Sequence, residues 1–324
     1  MTKLIAEFCQ NHNGNFDLLA RMIEAAAKSG ATHGKMQTIK VDTLAFRPQF
    51  EEGLEIDGKM LSIKRPFKDE FERLKTLEVS DKDTERFIAL CRENGIEPMT
   101  TCFSRAHVET LSEIGFDTIK VASYDCASFP MLRELSSKFD EIIVSTGATY
   151  DEEILHAANI LSDNNYAFLH CVTLYPTPLD QMHLARMEWL RRIAPVVGYS
   201  DHSLVARDGI MGTKAAMALG ADVIERHFTI EGADDARDGP VSITPAHMQE
   251  LSDFSSLSLQ ERKNAMDNDH PGWKVAVGQE NRELSDAEIL NRDYYRGRFA
   301  SPRSGTYRGT KMIYNYEETP LQHD

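Results

Sequence analysis

The chain has few cysteines, a deficit of positive charge and no long apolar run. Its five cysteines (Cys9, Cys91, Cys102, Cys126 and Cys171) are scattered and odd in number, with no C-x-x-C pair. That argues against a structural zinc site and for reduced thiols, as in the cytoplasm. Lys and Arg total 36 against 51 Asp and Glu, a formal net charge of −15. Such a field disfavours non-specific nucleic-acid binding. It leaves room for an anionic small ligand held by local lysines. No window approaches the ~18 consecutive apolar residues of a membrane span. The apolar run in "MTKLIAEFCQNHNG" is too short for a signal peptide, so neither membrane nor export is expected. No G-x-G-x-x-G follows the first strand-like segment, which removes support for a dinucleotide fold.

What is present is a rhythm. Strand-like segments at 4–9, 32–38, 97–101, 117–123, 141–146, 166–172, 195–200 and 221–228 alternate with helix-like ones. The helices include 17–29, 81–95, 150–162 and about 204–219, and one opens at Thr244-Pro245. Thr149 and Glu152 read as a capping box for the 150–162 helix. Only 39–79 interrupts the pattern. Alternation predicts a parallel sheet. Eight β–α units in this length fit a closed (β/α)₈ TIM barrel better than an open doubly wound sheet. After about residue 265 the chain turns polar and rich in turn residues. The expected organisation is a catalytic barrel over 1–268 and a short irregular extension over 269–324.

Barrel active sites lie where the strands end. The closing residues are Glu7; Lys35 and Gln37; Thr101; Lys120 and Ser123; Ser145; His170; Ser200, Asp201 and His202; and Glu225 and His227. Polar residues resume at any strand end. Lysines inside the apolar patterns "GKMQT" and "TIKVAS" need a further reason, because Lys is almost never buried without a partner. Two lysines with several hydroxyls suit an anion such as phosphate plus carboxylate. His202 and His227 close adjacent strands, roughly 4.8 Å apart, within reach of one divalent ion or of each other. Glu7, Glu225 and Asp201 are carboxylates available for acid–base work or for supporting the histidines. His12, just past the first strand, is a further candidate.

The segments "AEFCQNHNG", "GKMQT", "TTCFSRAHVETL", "IKVAS", "IVSTGA", "LHCVTLYPTP", "GYSDHS" and "VIERHFT" carry a family resemblance. In order, they resemble the strand-end motifs of the sialic acid (N-acetylneuraminate) synthase family over roughly residues 3–270. The resemblance implies condensation of phosphoenolpyruvate with an aldehyde sugar, N-acetylmannosamine or a related amino sugar, with release of phosphate. It implies a divalent metal, Mn²⁺ first, with Mg²⁺, Co²⁺ or Zn²⁺ as alternatives. Lys35, Thr101, Lys120, Ser123, Ser145 and Ser200 match phosphoenolpyruvate-binding positions. His202 and His227 match metal ligands, and Glu7 matches the active-site carboxylate. Gln37, Tyr175 and Asp238 match sugar-contacting positions. A homodimer is the assembly the resemblance suggests.

Three departures stand out. The sequence holds only the start of the family's antifreeze-like cap domain, around "NRDYYRGRFASPRSG", without the segment that donates an arginine to the sugar. Thr173 stands where asparagine is usual, and Asp125 where glutamate is usual. The stretch 46–62 is also poorly matched. The alternatives are a non-catalytic sugar-binding barrel and a metal-dependent isomerase or aldolase.

Overall fold

The computed structural model describes residues 2–302 and 311–321. Eight strands form a closed barrel: β1 (Lys3–Cys9), β2 (His33–Gln37), β3 (Glu97–Thr101), β4 (Thr118–Val121), β5 (Glu141–Ser145), β6 (Asn165–Cys171), β7 (Val196–Asp201) and β8 (Val223–His227). Consecutive strands pair in parallel, and β8 closes on β1. Helices cover the outside, so the expected (β/α)₈ barrel is borne out. The Phe16–Lys28 helix shows how sequence makes the outer layer. Asn15 caps it, accepting from the backbone N–H of Asp17 and Leu18, and Leu18, Leu19, Met22, Ile23 and Ala26 are buried at helical spacing.

The inside of the barrel has an apolar floor of Ile5, Met99, Ile143, Ala167, Leu169 and Val223. Side chains alternate along a strand, so every second residue returns to the interior. Two residues beyond the floor, Ile5 gives way to Glu7, Met99 to Thr101, Ile143 to Ser145, Leu169 to Cys171 and Val223 to Glu225. A polar layer therefore sits directly on the apolar one.

Several local expectations are corrected. The 150–162 helix runs Asp151–Ile160, and its cap is shifted by one residue: the Tyr150 N–H donates to Glu153. Thr149 instead donates its hydroxyl to the carbonyls of Ser123 and Gly147, tying two strand ends together. The 204–219 helix is broken into Val205–Asp208 and Met211–Ala218 by Gly209 at φ +56. The interrupting stretch 39–79 holds an exposed hairpin, Leu54–Ile56 with Lys59–Ser62, and the Phe67–Lys75 helix.

Beyond the barrel, the Asp286–Tyr295 helix is capped by a Ser285–Glu288 box. Strands Ala300–Pro302 and Met312–Tyr314 pair antiparallel. Residues 303–310 of the cap-like stretch lie outside the described residues. After the second strand, Asn315 donates to Asp125 Oδ1 (3.0 Å) and to the Phe103 carbonyl (3.0 Å). Ser128 donates to the same Asp125 oxygen (3.0 Å). Burial raises the Asp125 carboxyl from 3.8 to about 6, against the pull of these two donors. The folded chain thus holds this proton more tightly than the unfolded chain. Stability should fall as pH rises from 3.8 towards about 6 and be flat above. Asp125→Asn keeps an oxygen for both donors. It should remove that slope and stabilise the chain at neutral pH by on the order of 2 kcal/mol. Urea unfolding of both proteins from about pH 4 to about pH 7 checks it; parallel pH profiles would contradict it.

Candidate active site

A cleft of about 820 Å³ opens at the carboxyl ends of the strands. Glu7, Lys35, Gln37, Thr101, Lys120, Ser123, Ser145, Tyr175, Ser200, His202, His227 and Asp238 all line it. Register explains the gathering. Glu7 sits opposite His227 on one side and Lys35 on the other, Gln37 opposite Thr101, and Thr101 opposite Lys120.

The floor of the cleft is a charge network. Lys35 pairs with Glu7, lies 3.6 Å from Glu225 Oε2, and donates to Thr101 Oγ1 (3.1 Å). Burial works against its charge, but Glu225 and Glu7 outweigh burial and raise its pKa. Glu225 accepts from Ser200 (3.1 Å). Burial opposes the Glu225 charge too, yet Lys35 and Lys120 hold its pKa down. Glu7 is pushed up by burial, with Lys35 opposing, and its Oε1 has no hydrogen-bond partner.

Lys120 differs from Lys35. It is 2 % exposed and donates to Ser145 Oγ (2.7 Å) and the Val121 carbonyl (2.7 Å). Among the described residues it has no salt-bridge partner, and burial lowers its pKa. A buried ammonium with no direct ion pair, hydrogen-bonded to a serine hydroxyl, suits an anion. Ser123 adjoins it. The Gly147 N–H donates to Ser123 Oγ (3.2 Å), and a Cβ at Gly147 would stand 2.7 Å from Thr173 Cγ2 and 2.9 Å from Ser123 Oγ.

The other side of the cleft carries the imidazoles. The rings of His202 and His227 are 5.2 Å apart, and Tyr175 lies over His202 at 4.2 Å. His227 Nδ1 is buried without a hydrogen bond, 3.5 Å from Asp238 Oδ2. Burial holds His202 well below its ordinary pKa, so it stays neutral, the form a metal needs. For His227, burial is outweighed by Asp238, which raises its pKa; Asp238, against its own burial, is drawn to about 2 by His227. An imidazole nitrogen without a hydrogen bond, the neutral imidazole of His202 and a carboxylate form a donor set that fits a divalent ion.

Residues 22–264 match the NeuB family. The chain belongs to that family. The "N,N'-diacetyllegionaminic acid synthase" of Campylobacter jejuni is 32% identical over 262 residues, 77% of this chain and 74% of its own length. The "N-acetylneuraminate-9-phosphate synthase" of Drosophila melanogaster is 28% identical over 254 residues, 77% of this chain and 66% of its own. The N-acetylneuraminic acid (sialic acid) synthetase of Leptospira borgpetersenii, solved with citrate, superposes with TM-score 0.67 at 24% identity, covering 90% of each chain. The resemblance read from the strand ends is borne out. This NeuB-family chain is a synthase of the sialic acid type, a class that condenses phosphoenolpyruvate with amino sugars.

Three strand-end candidates fall outside the cleft of this NeuB barrel. Asp201 faces the surrounding helices, where Arg226 and Thr213 hold it, both at 2.6 Å. His170 bonds the Met182 carbonyl (2.7 Å). His12 accepts from the Gly14 N–H (3.1 Å), and burial lowers its pKa to about 4. Conversely, the cleft includes Cys9, Asn291, Tyr294, Tyr295 and Arg298, which sequence reading passed over. Cys9 had a signal, since it shares the inward parity of Glu7. The other four had none, because only docking of the Asp286–Tyr295 helix brings them over the mouth. There Tyr295 stacks on Tyr124 (4.8 Å), Arg298 pairs with Glu70, and Asn291 donates to the Thr173 carbonyl (2.8 Å).

Proposed function

We propose that the cleft binds phosphoenolpyruvate on Lys35, Lys120, Thr101, Ser123, Ser145 and Ser200 and joins its carbon 3 to the aldehyde of an amino sugar. The product is a 2-keto-3-deoxy sugar acid. The observation that carries this reading is Lys120, a buried cation that donates to the Ser145 hydroxyl and the Val121 carbonyl and forms no direct ion pair among the described residues. The forming bond runs from carbon 3 to the aldehyde carbon, and the aldehyde oxygen takes up a proton. Water adds at carbon 2, the bond from carbon 2 to the phosphate oxygen breaks, and phosphate leaves. Glu7, between Lys35 and His227, is placed to move a proton at the aldehyde oxygen or the water. Lys35 keeps Glu7 and Glu225 from repelling each other. Holding both reactants in contact supplies part of the ~7–11 kcal/mol available from proximity.

His202 and His227 would hold a divalent ion, Mn²⁺ first on two imidazoles alone, with Mg²⁺, Co²⁺ or Zn²⁺ as alternatives. Such an ion supplies Lewis-acid stabilisation of charge developing on the aldehyde oxygen. Gln37, Tyr175 and Asp238 contact the acceptor, N-acetylmannosamine or a related amino sugar. Asn291 brings an amide beside Thr173, and Arg237 and Arg298 line the rim from the same chain. The reading divides the chain into a catalytic barrel, 1–268, and an extension, 269–324, that helps form the acceptor side. Five buried free cysteines favour a reducing, cytoplasmic setting. No helix among the described residues is long and apolar enough to cross a membrane. A homodimer is the proposed assembly.

Phosphate release with Mn²⁺, phosphoenolpyruvate and a panel of aldehyde sugars tests the function. No release and no phosphoenolpyruvate binding would favour a non-catalytic barrel; bound metal without phosphoenolpyruvate would favour an isomerase or aldolase. Lys120→Ala should weaken phosphoenolpyruvate by ~10–100-fold, the 1.5–3 kcal/mol of a charged hydrogen bond. Metal content should hold, since the imidazole side of the cleft is untouched. Unchanged phosphoenolpyruvate affinity by calorimetry would remove Lys120 from the site.

A further inference from the structure

The metal half of the cleft contains a thiol that the proposed reaction does not use. Cys9 ends β1, two residues after Glu7, where the pairing with β2 shifts register. Its backbone is left-handed, φ 45, a conformation glycine adopts freely and L side chains rarely. A side chain kept in that conformation at the active end of a barrel suggests a use for the side chain itself. The Cys9 sulfur, a ring nitrogen of His227 and a carboxylate oxygen of Asp238 lie within 4.8 Å of one another. It is the one such trio of His, Cys, Asp or Glu ligands among the described residues. Independently, His227 is 6 % exposed, and its Nδ1 has no hydrogen-bond partner.

We propose that Cys9 is a thiolate ligand of the divalent ion, completing with His202, His227 and Asp238 a mixed sulfur–nitrogen–oxygen centre. This rests on the reading that a metal binds here. It goes beyond a pair of histidines and reassigns Asp238 from sugar contact to metal ligand. Donors ~2.0–2.3 Å from a tetrahedral ion stand ~3.3–3.8 Å from one another, so small rotations bring the trio into range. On binding, the thiol loses its proton to solvent and a metal–sulfur bond forms; nothing is oxidised. Thiolate is a soft donor, so the centre prefers Zn²⁺ or Co²⁺ to Mn²⁺ or Mg²⁺.

The test is optical titration of the metal-stripped full chain with Co²⁺. A thiolate–cobalt charge-transfer band in the near ultraviolet is expected. It should persist in Cys171→Ser, whose thiol lies 3.8 Å from His202 Nδ1 in the native chain. It should vanish in Cys9→Gly, with Co²⁺ affinity down at least ~10-fold and the preference for Co²⁺ over Mn²⁺ reduced. Glycine suits the local backbone, so the variant should fold, and a thermal melt verifies it. Bound Co²⁺ with no band, or a band that survives Cys9→Gly, overturns the proposal. Bound metal and phosphate release without the band defeat the thiolate alone. Failure of the native chain to bind Co²⁺ defeats the metal reading with it.

Discussion

His227→Ala is expected to lose bound metal and turnover together. The ring is buried at the end of β8, 5.2 Å from His202 and 3.5 Å from the Asp238 carboxylate, with Nδ1 unpartnered. It lies beside both His202 and Asp238, and it belongs to the Cys9–His227–Asp238 trio. Removing it takes an imidazole nitrogen from the donor set. Loss of several kcal/mol of charge stabilisation corresponds to a fall in kcat/KM of ~10³-fold or more. Metal analysis after dialysis and phosphate release read the two effects separately. Phosphoenolpyruvate affinity should be largely preserved, since Lys35 and Lys120 are untouched. Normal metal content in the variant would remove His227 as a ligand.

The second large effect is on stability. Arg226 and Asp201 are both fully buried, 2.6 Å apart, on adjacent strands in direct register. Arg226 also donates to the Ser203 hydroxyl (2.9 Å) and carbonyl (2.8 Å). Asp201 accepts from Thr213 (2.6 Å) and from the Ser203 N–H (2.8 Å). Arg226→Met should cost ~3–5 kcal/mol, because it strands a buried carboxylate. Adding Asp201→Leu should recover much of that, because the uncompensated charge goes too. Urea midpoints of the single and double variants decide it. A neutral Arg226→Met would mean that Asp201 reaches solvent or protonates without penalty. The pair matters for chemistry as well, since His202 and His227 each follow one of its members directly.

Much of the site was legible because strand parity is a local property. Glu7, Lys35, Thr101, Lys120 and Ser145 could be placed on one mouth from apolar alternation and the eightfold rhythm alone. The same reasoning misplaced Asp201, His170 and His12. Ending a strand does not say which way a side chain faces, and a one-residue step turns it to the helices. It also missed the charge coupling. That Lys35 forms direct ion pairs with two carboxylates while Lys120 forms none among the described residues depends on three-dimensional distances between strands.

The sequence by itself determined the barrel, its order and the residue types at its mouth, because periodicity and strand ends are written along the chain. Only the tertiary structure decided which of those side chains meet. It set the Cys9 sulfur beside His227 and Asp238. It laid the Asp286–Tyr295 helix across the mouth, bringing Asn291 and Tyr295 more than 100 residues along the chain to Thr173 and Tyr124. Long-range packing of that kind leaves no periodic signal, since it depends on the shape of the whole surface against which a segment docks.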